Sequence, residues 1–253
     1  MNRSVTPGQG FFAVGMACLG LLSILYGDFI VGRPPAWPAA LHLTPAIGYV
    51  AGTITLSAAL VVIFFFRSAG PASLIIAVLI LVLSVFRHIS GFMNDWLNSL
   101  KALALFGGAL IVGSSFFNAY YILFAKVRVN IKTRRAFILL GSVLLGIFLI
   151  GAGYAHFKFA DVVKDFIPAY IPFHVFWTYF TGVCLLAGGV GLIIPYTRTW
   201  AALLSGIMVM GWFLLLHIPR FLANTQDVGD RLGLCESLTF AGIFFVLFAN
   251  AKK

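Results

Sequence analysis

The sequence predicts an all-α polytopic membrane protein of eight transmembrane helices, arranged as two parallel four-helix repeats. Three observations predict it. Of 253 residues, 61% are hydrophobic and 9% are charged, whereas a soluble domain carries about 25% charged residues. With a mean hydropathy of +1.04, the chain would expose large apolar patches to water, so its solvent is lipid. The apolar residues also fall into eight runs, each near the ~20 residues that a bilayer crossing needs. Finally, the first four runs align with the last four.

The spans read as residues 11–31, 45–66, 71–89, 100–124, 136–157, 174–195, 199–218 and 233–250. They are helices because a backbone in lipid must satisfy its own hydrogen bonds, and none alternates in the way that the strands of a membrane barrel do. Proline and glycine punctuate the gaps, as in Arg33-Pro34-Pro35, Gly70-Pro71 and Ile194-Pro195. The N-terminal segment MNRSVTPGQGFF lacks the ordered features of a cleaved signal, so the first span is expected to serve as its own insertion signal. Cys18, Cys184 and Cys235 lie far apart and form no Cys-x-x-Cys, which argues against a disulfide framework.

Eight spans divide the charges between two faces. One face receives Arg3, Arg67, Lys126, Arg128, Lys132, Arg134, Arg135, Arg198, Lys252 and Lys253, and no acid. The other receives Arg33, Arg87, Lys101, Lys158, Lys164, Arg220 and Arg231 with all seven acids: Asp28, Asp95, Asp161, Asp165, Asp227, Asp230 and Glu236. The positive-inside rule places both termini in the cytoplasm of a cell (inner) membrane. The net charge of +10 is spread over short loops, which excludes a nucleic-acid partner and leaves the lipid bilayer as the partner. Lys126, Arg128, Lys132, Arg134 and Arg135 read first as a topology anchor and second as a site for anionic lipid headgroups.

The internal alignment needs small shifts that fall near loops. At an offset of 126, Gly15, Leu19, Gly20 and Gly27 match Gly141, Leu145, Gly146 and Gly153. At 130, Tyr49, Gly52 and Leu56 match Tyr179, Gly182 and Leu186. At 129, His88-Ile89 and Phe92 match His217-Ile218 and Phe221, and at 135, Leu97, Leu103 and Gly107 match Leu232, Leu238 and Gly242. The units are then residues 1–125 and 136–253, joined by a basic linker at 126–135. An even number of spans per unit makes the repeats parallel, unlike the inverted repeats of many transporters.

Gly146 to Phe157, Phe166-Ile-Pro-Ala-Tyr-Ile-Pro-Phe173, Tyr179 to Pro195 and Thr199-Trp-Ala-Ala-Leu-Leu204 resemble the DoxX-like family of small four-helix membrane units. Leu100-Lys-Ala-Leu-Ala-Leu-Phe-Gly-Gly-Ala-Leu110 resembles the same pattern more weakly. The resemblance implies an accessory or quinone-linked subunit of a membrane redox system, with a membrane redox protein as partner. It supplies no catalytic residue set, and a fused double unit departs from the usual single one.

All five histidines share the face of the acids. His156 and His174 flank the loop Lys158 to Phe173. With His217 and a carboxylate such as Asp161 or Glu236, they would make a metal or quinone-headgroup site. His88, Arg220 and Lys101 complete the set of pocket candidates. The competing reading is that interfacial His, Tyr and Trp are ordinary belt residues and that Lys101 and Glu236 snorkel to water. No His-x-x-x-His or Glu-x-x-His spacing occurs on one helix, so no metal is assigned, and a quinone remains the cofactor candidate. Lys101 and Glu236 stand at matching places in the two units, and opposite signs there would allow an ion pair between the repeats. A non-enzymatic assembly protein is the alternative function. A small-molecule transporter ranks third, because the span centres hold few polar residues.

Overall fold

The computed structural model describes residues 5–37, 45–89, 91–116, 121–122, 125–126 and 130–251. Its architecture is all-helical, with eight helices long and apolar enough to cross a membrane, so the chain is a multi-pass membrane protein. They are α1 (Pro7–Tyr26), α2 (Pro45–Phe64), α3 (Ala69–Ile89), α4 (Trp96–Ser115), α5 (Ile131–Lys158), α6 (His174–Ile193), α7 (Arg198–Ala223) and α8 (Val228–Ala251). Large side chains such as Leu25, Phe64, Ile75 and Leu222 are exposed on the outside of the bundle, where lipid can cover them.

Helix starts follow local chemistry. Thr6 and Gln9 form a reciprocal capping box and Pro7 takes the first helical position, so α1 starts earlier than the expected residue 11. It also ends earlier, because Gly27 adopts φ +63° and closes the helix. Phe29 and Val31 leave the helix but stay fully buried, which is why apolarity alone read them as part of the span. Asn130 accepts from the Lys132 amide at 3.0 Å, starting α5 inside the expected linker. The fourth span stops at Ser115 rather than 124, and Tyr121–Ile122 pairs antiparallel with Ala125–Lys126 beyond it.

Each helix packs on the next in the chain, α8 returns to α1, and α4 meets α8 across the middle. The neighbour pairs within α1–α4 each have a counterpart within α5–α8, and α1–α8 contact corresponds to α5–α4 contact. α4 and α8 are the most enclosed spans, 67% and 72% buried, while α6 and α7 are only 28% buried each. The core therefore centres on Leu105 and Ile111 of α4, Phe240 and Phe244 of α8, and Phe12 and Met16 of α1.

Glycines set the closest approaches. A Cβ on Gly146 would lie 2.7 Å from the Gly189 carbonyl oxygen, and one on Gly153 would lie 2.9 Å from that of Gly182, so α5 and α6 meet backbone to backbone. Gly20 and Gly52 do the same for α1 and α2.

α3 and α7 each widen into a π-helical segment near the end that carries the acids: Ile80–Val85 in α3 and Phe213–His217 in α7. In α7 the cause is Pro219. It has no amide hydrogen for the carbonyl four residues back, Leu215, and its ring crowds that oxygen. The Tyr170 hydroxyl donates to the freed Leu215 carbonyl. In α3 the Ser84 hydroxyl donates to the Val31 carbonyl of the first loop.

Candidate functional site

The weakly buried α6 and α7 enclose a cleft of about 1570 Å³. Along α6 its wall runs from Trp177 to Ile194, roughly 25 Å at 1.5 Å per residue. α7 contributes from Trp200 and Leu204 to Trp212 and His217, and the short helix Ala160–Lys164 with its following loop contributes Val163, Phe166 and Tyr170. Through most of its length the wall is Val, Leu, Ile, Met, Phe and Trp. The charged and imidazole groups gather at the end bearing the acids: His156, His217, Arg33, Arg220, Asp227 and Asp230.

These groups are held in place. His156 Nδ1 lies 2.8 Å from the Ala152 carbonyl, and its ring stacks on Trp212 at 6.3 Å. Arg220 donates to Asp230 at 2.7 Å and to the Phe166 carbonyl at 3.2 Å, lying 4.8 Å over the Phe166 ring. Arg33 Nε donates to Glu236 Oε2 at 3.2 Å, and Nη2 donates to the Gly229 carbonyl at 3.0 Å. The same Glu236 oxygen accepts from Lys101 Nζ at 3.2 Å. Lys101 and Glu236 do not snorkel: their side chains are 14% and 6% exposed. They form the ion pair between α4 and α8 that their matching places allowed.

The structure thus brings His156, His217 and Arg220 to one cleft and sets Lys101 and Glu236 behind it. His174 opens α6, where its carbonyl accepts from the Thr178 hydroxyl, but it is not a wall residue. His88 is buried in the other half, its Nδ1 4.0 Å from Asp95 Oδ2. Asp161 accepts from Lys164 at 2.7 Å in a surface pair away from the cleft. The ammonium lowers the Asp161 carboxyl and the carboxylate raises the Lys164 amine, so both stay charged and neither suits proton exchange near neutrality. Among the described residues, no group of three His, Cys, Asp or Glu could hold a metal ion. Of the basic cluster, Arg134 donates to Asn250 at 3.1 Å. Lys132 and Arg135 are exposed in the first turns of α5. The Lys126 side chain and Arg128 lie outside the described residues, as does His42.

In the first half, the loop after α1 folds inward. Arg87 grips Asp28 with two nitrogens at 2.8 and 3.0 Å and donates to the Pro35 carbonyl at 2.8 Å. Its guanidinium lies 4.3 Å over the Trp37 ring, and the Trp37 indole donates to Asp28 at 3.1 Å.

Sequence reasoning missed Arg33, Asp230, Tyr170 and Trp212 as parts of this region. Pro219 was the available signal for Tyr170, because a proline inside a span frees a carbonyl. Arg33 carried no local signal, since its partners lie about two hundred residues away.

Residues 145–226 match the family model of a domain of unknown function (DUF8561), a stretch that covers the second half of α5, all of α6 and α7, and the loop between α5 and α6. No curated protein and no solved structure matches the chain.

Proposed function

We propose that this protein is a DoxX-like, tandemly duplicated membrane subunit that binds a quinone in the α6–α7 cleft and serves a membrane redox system. The observation that carries the reading is the cleft itself: long, apolar along its length and polar at one end. Its volume of about 1570 Å³ exceeds the ~300–1,000 Å³ of ordinary ligand pockets and suits a long-tailed amphiphile. The lining charges balance, with Arg33 and Arg220 against Asp227 and Asp230. A charge-neutral mouth favours an uncharged headgroup over a phosphate, and His156 and His217 offer hydrogen bonds to quinone oxygens. The duplication is supported by residues 135 apart facing each other between α4 and α8. Lys101 meets Glu236, and a Cβ on Gly108 would meet the Ile243 side chain at 2.2 Å. A two-fold axis between those helices would bring equivalent positions together in this way. The charge distribution supports both termini in the cytoplasm of a cell membrane, with the cleft's polar end outward.

The test is gentle purification followed by solvent extraction and mass spectrometry of the bound lipids. Gly211 lines the cleft, and a Cβ there meets nothing within 4 Å, so Gly211→Phe starts a bulky side chain in the cleft from a position with room for it. Stoichiometric quinone in the wild type and its loss in Gly211→Phe are expected. A stable protein partner with no extractable small molecule would instead establish the assembly role.

A further inference from the structure

Every described residue that lines the cleft lies at position 156 or later, with one exception: Arg33, from the loop after α1. Its backbone is unusual too. Arg33 sits at φ +53°, in the left-handed region, directly after Gly32 at φ +78°. A non-glycine residue persists there only where its surroundings over-determine it, and such residues concentrate at functional sites. The turn rests on α4, where a Cβ on Gly32 would lie 3.0 Å from that of Ala102, next to Lys101. From there the side chain crosses to α8. Nε is taken by Glu236 and Nη2 reaches the Gly229 carbonyl. Among the described residues Nη1 donates to nothing, so its two hydrogens remain for a ligand. Gly233 leaves the room: a Cβ there would lie 2.8 Å from His217 Nδ1 and 3.6 Å from Arg33 Nη2, so the two side chains border the same space.

We propose that the headgroup site is composite, with Arg33 as the ligand-contacting donor to a carbonyl oxygen of the headgroup and the buried Lys101–Glu236 pair as the device that positions it. Lys101 holds the Glu236 carboxylate in place, and the carboxylate orients the guanidinium by accepting its Nε–H. The first half thus acts in the second half's cleft, and neither half alone makes the site. The proposal rests on the cleft reading above and names the chemistry within it.

The experiment is isothermal titration of the full chain in nanodiscs with decylubiquinone, alongside n-decylbenzene, a tail without carbonyl acceptors. The positive φ accommodates glycine, so Arg33→Gly removes the donor without backbone conflict. It should weaken decylubiquinone at least tenfold and leave n-decylbenzene within twofold. The exchange Lys101→Glu with Glu236→Lys preserves an α4–α8 ion pair but presents Arg33 with an ammonium. It should remain monodisperse and lose decylubiquinone affinity to the same degree. Decylubiquinone binding within twofold of wild type in Arg33→Gly overturns the proposal and leaves the cleft reading intact, provided Gly211→Phe still abolishes binding. Equal loss of both probes in Arg33→Gly also overturns it, because that is what a purely structural role would produce. If the wild type binds neither probe, or Gly211→Phe binds both as well as the wild type, the cleft reading fails and the composite site fails with it.

Discussion

Replacing Glu236 with alanine strips the only carboxylate among the described residues within salt-bridge distance of Lys101, whose side chain is 14% exposed between α4 and α8. Removing one partner of a buried ion pair costs about 3–5 kcal/mol, because the remaining charge keeps its desolvation penalty without compensation. Arg33 loses the same partner but is 33% exposed, so its share is nearer the ~0.2–1 kcal/mol of a surface pair. Lys101 dominates, and Glu236→Ala should destabilise by about 3–5 kcal/mol. The double variant Lys101→Met, Glu236→Met removes both charges and fills the space with apolar atoms. Such replacements run from neutral to stabilising by about 1–4 kcal/mol, so the double variant should be more stable than Glu236→Ala and close to wild type. Reversible unfolding in detergent micelles, followed by steric trapping, measures all three. A Glu236→Ala loss below about 1 kcal/mol would show that water already solvates the pair. A double variant weaker than the single one would show that the pair itself holds α4 against α8. Either result refutes the reasoning.

Three further outcomes follow from packing and hydrogen bonds. A Cβ on Gly242 would lie 2.3 Å from the Phe12 amide nitrogen and 2.7 Å from the Gly8 carbonyl oxygen. Gly242→Ala should therefore cost about 1–3 kcal/mol by overpacking, whereas Gly211→Ala should be neutral or stabilising by up to ~1 kcal/mol; thermal melts of the two variants compare them. Cys18 of α1 and Cys235 of α8 are free thiols on two helices that pack closely, since a Cβ on Gly15 of α1 would lie 2.8 Å from the Cys235 carbonyl oxygen. Copper–phenanthroline should link them within one chain, read as a shift in non-reducing electrophoresis that Cys18→Ser abolishes. Tyr170→Phe should cost about 0.5–1.5 kcal/mol and speed amide exchange in residues 165–173, detected by mass spectrometry, because it unlatches that loop from the Leu215 carbonyl.

How much was legible beforehand depends on the reach of each interaction. The eight spans follow from hydropathy, because a bilayer forces any long apolar run into a helix. Their ends were read less well, since caps such as Thr6–Gln9 and Asn130 depend on individual side chains rather than on apolar length. The gathering of His156, His217 and Arg220 at one end follows from counting spans, which sorts side chains by depth. His174 and Asp161 share that depth and still stand apart from the cleft, because depth does not determine which way a helix is turned.

By itself, then, the sequence determined a membrane-embedded helical chain with opposite chemical character at its two ends. Both properties come from the contrast between lipid and water, which acts on each segment separately. The tertiary structure alone decided that α4 and α8 lie together at the centre, that Lys101 meets Glu236 there, and that Arg33 crosses into a cleft built by the other half. Lipid tails are as apolar as the helix surfaces, so hydropathy does not choose which helices touch. That choice falls to glycine-scale shape and to a few buried hydrogen bonds between residues far apart in the chain.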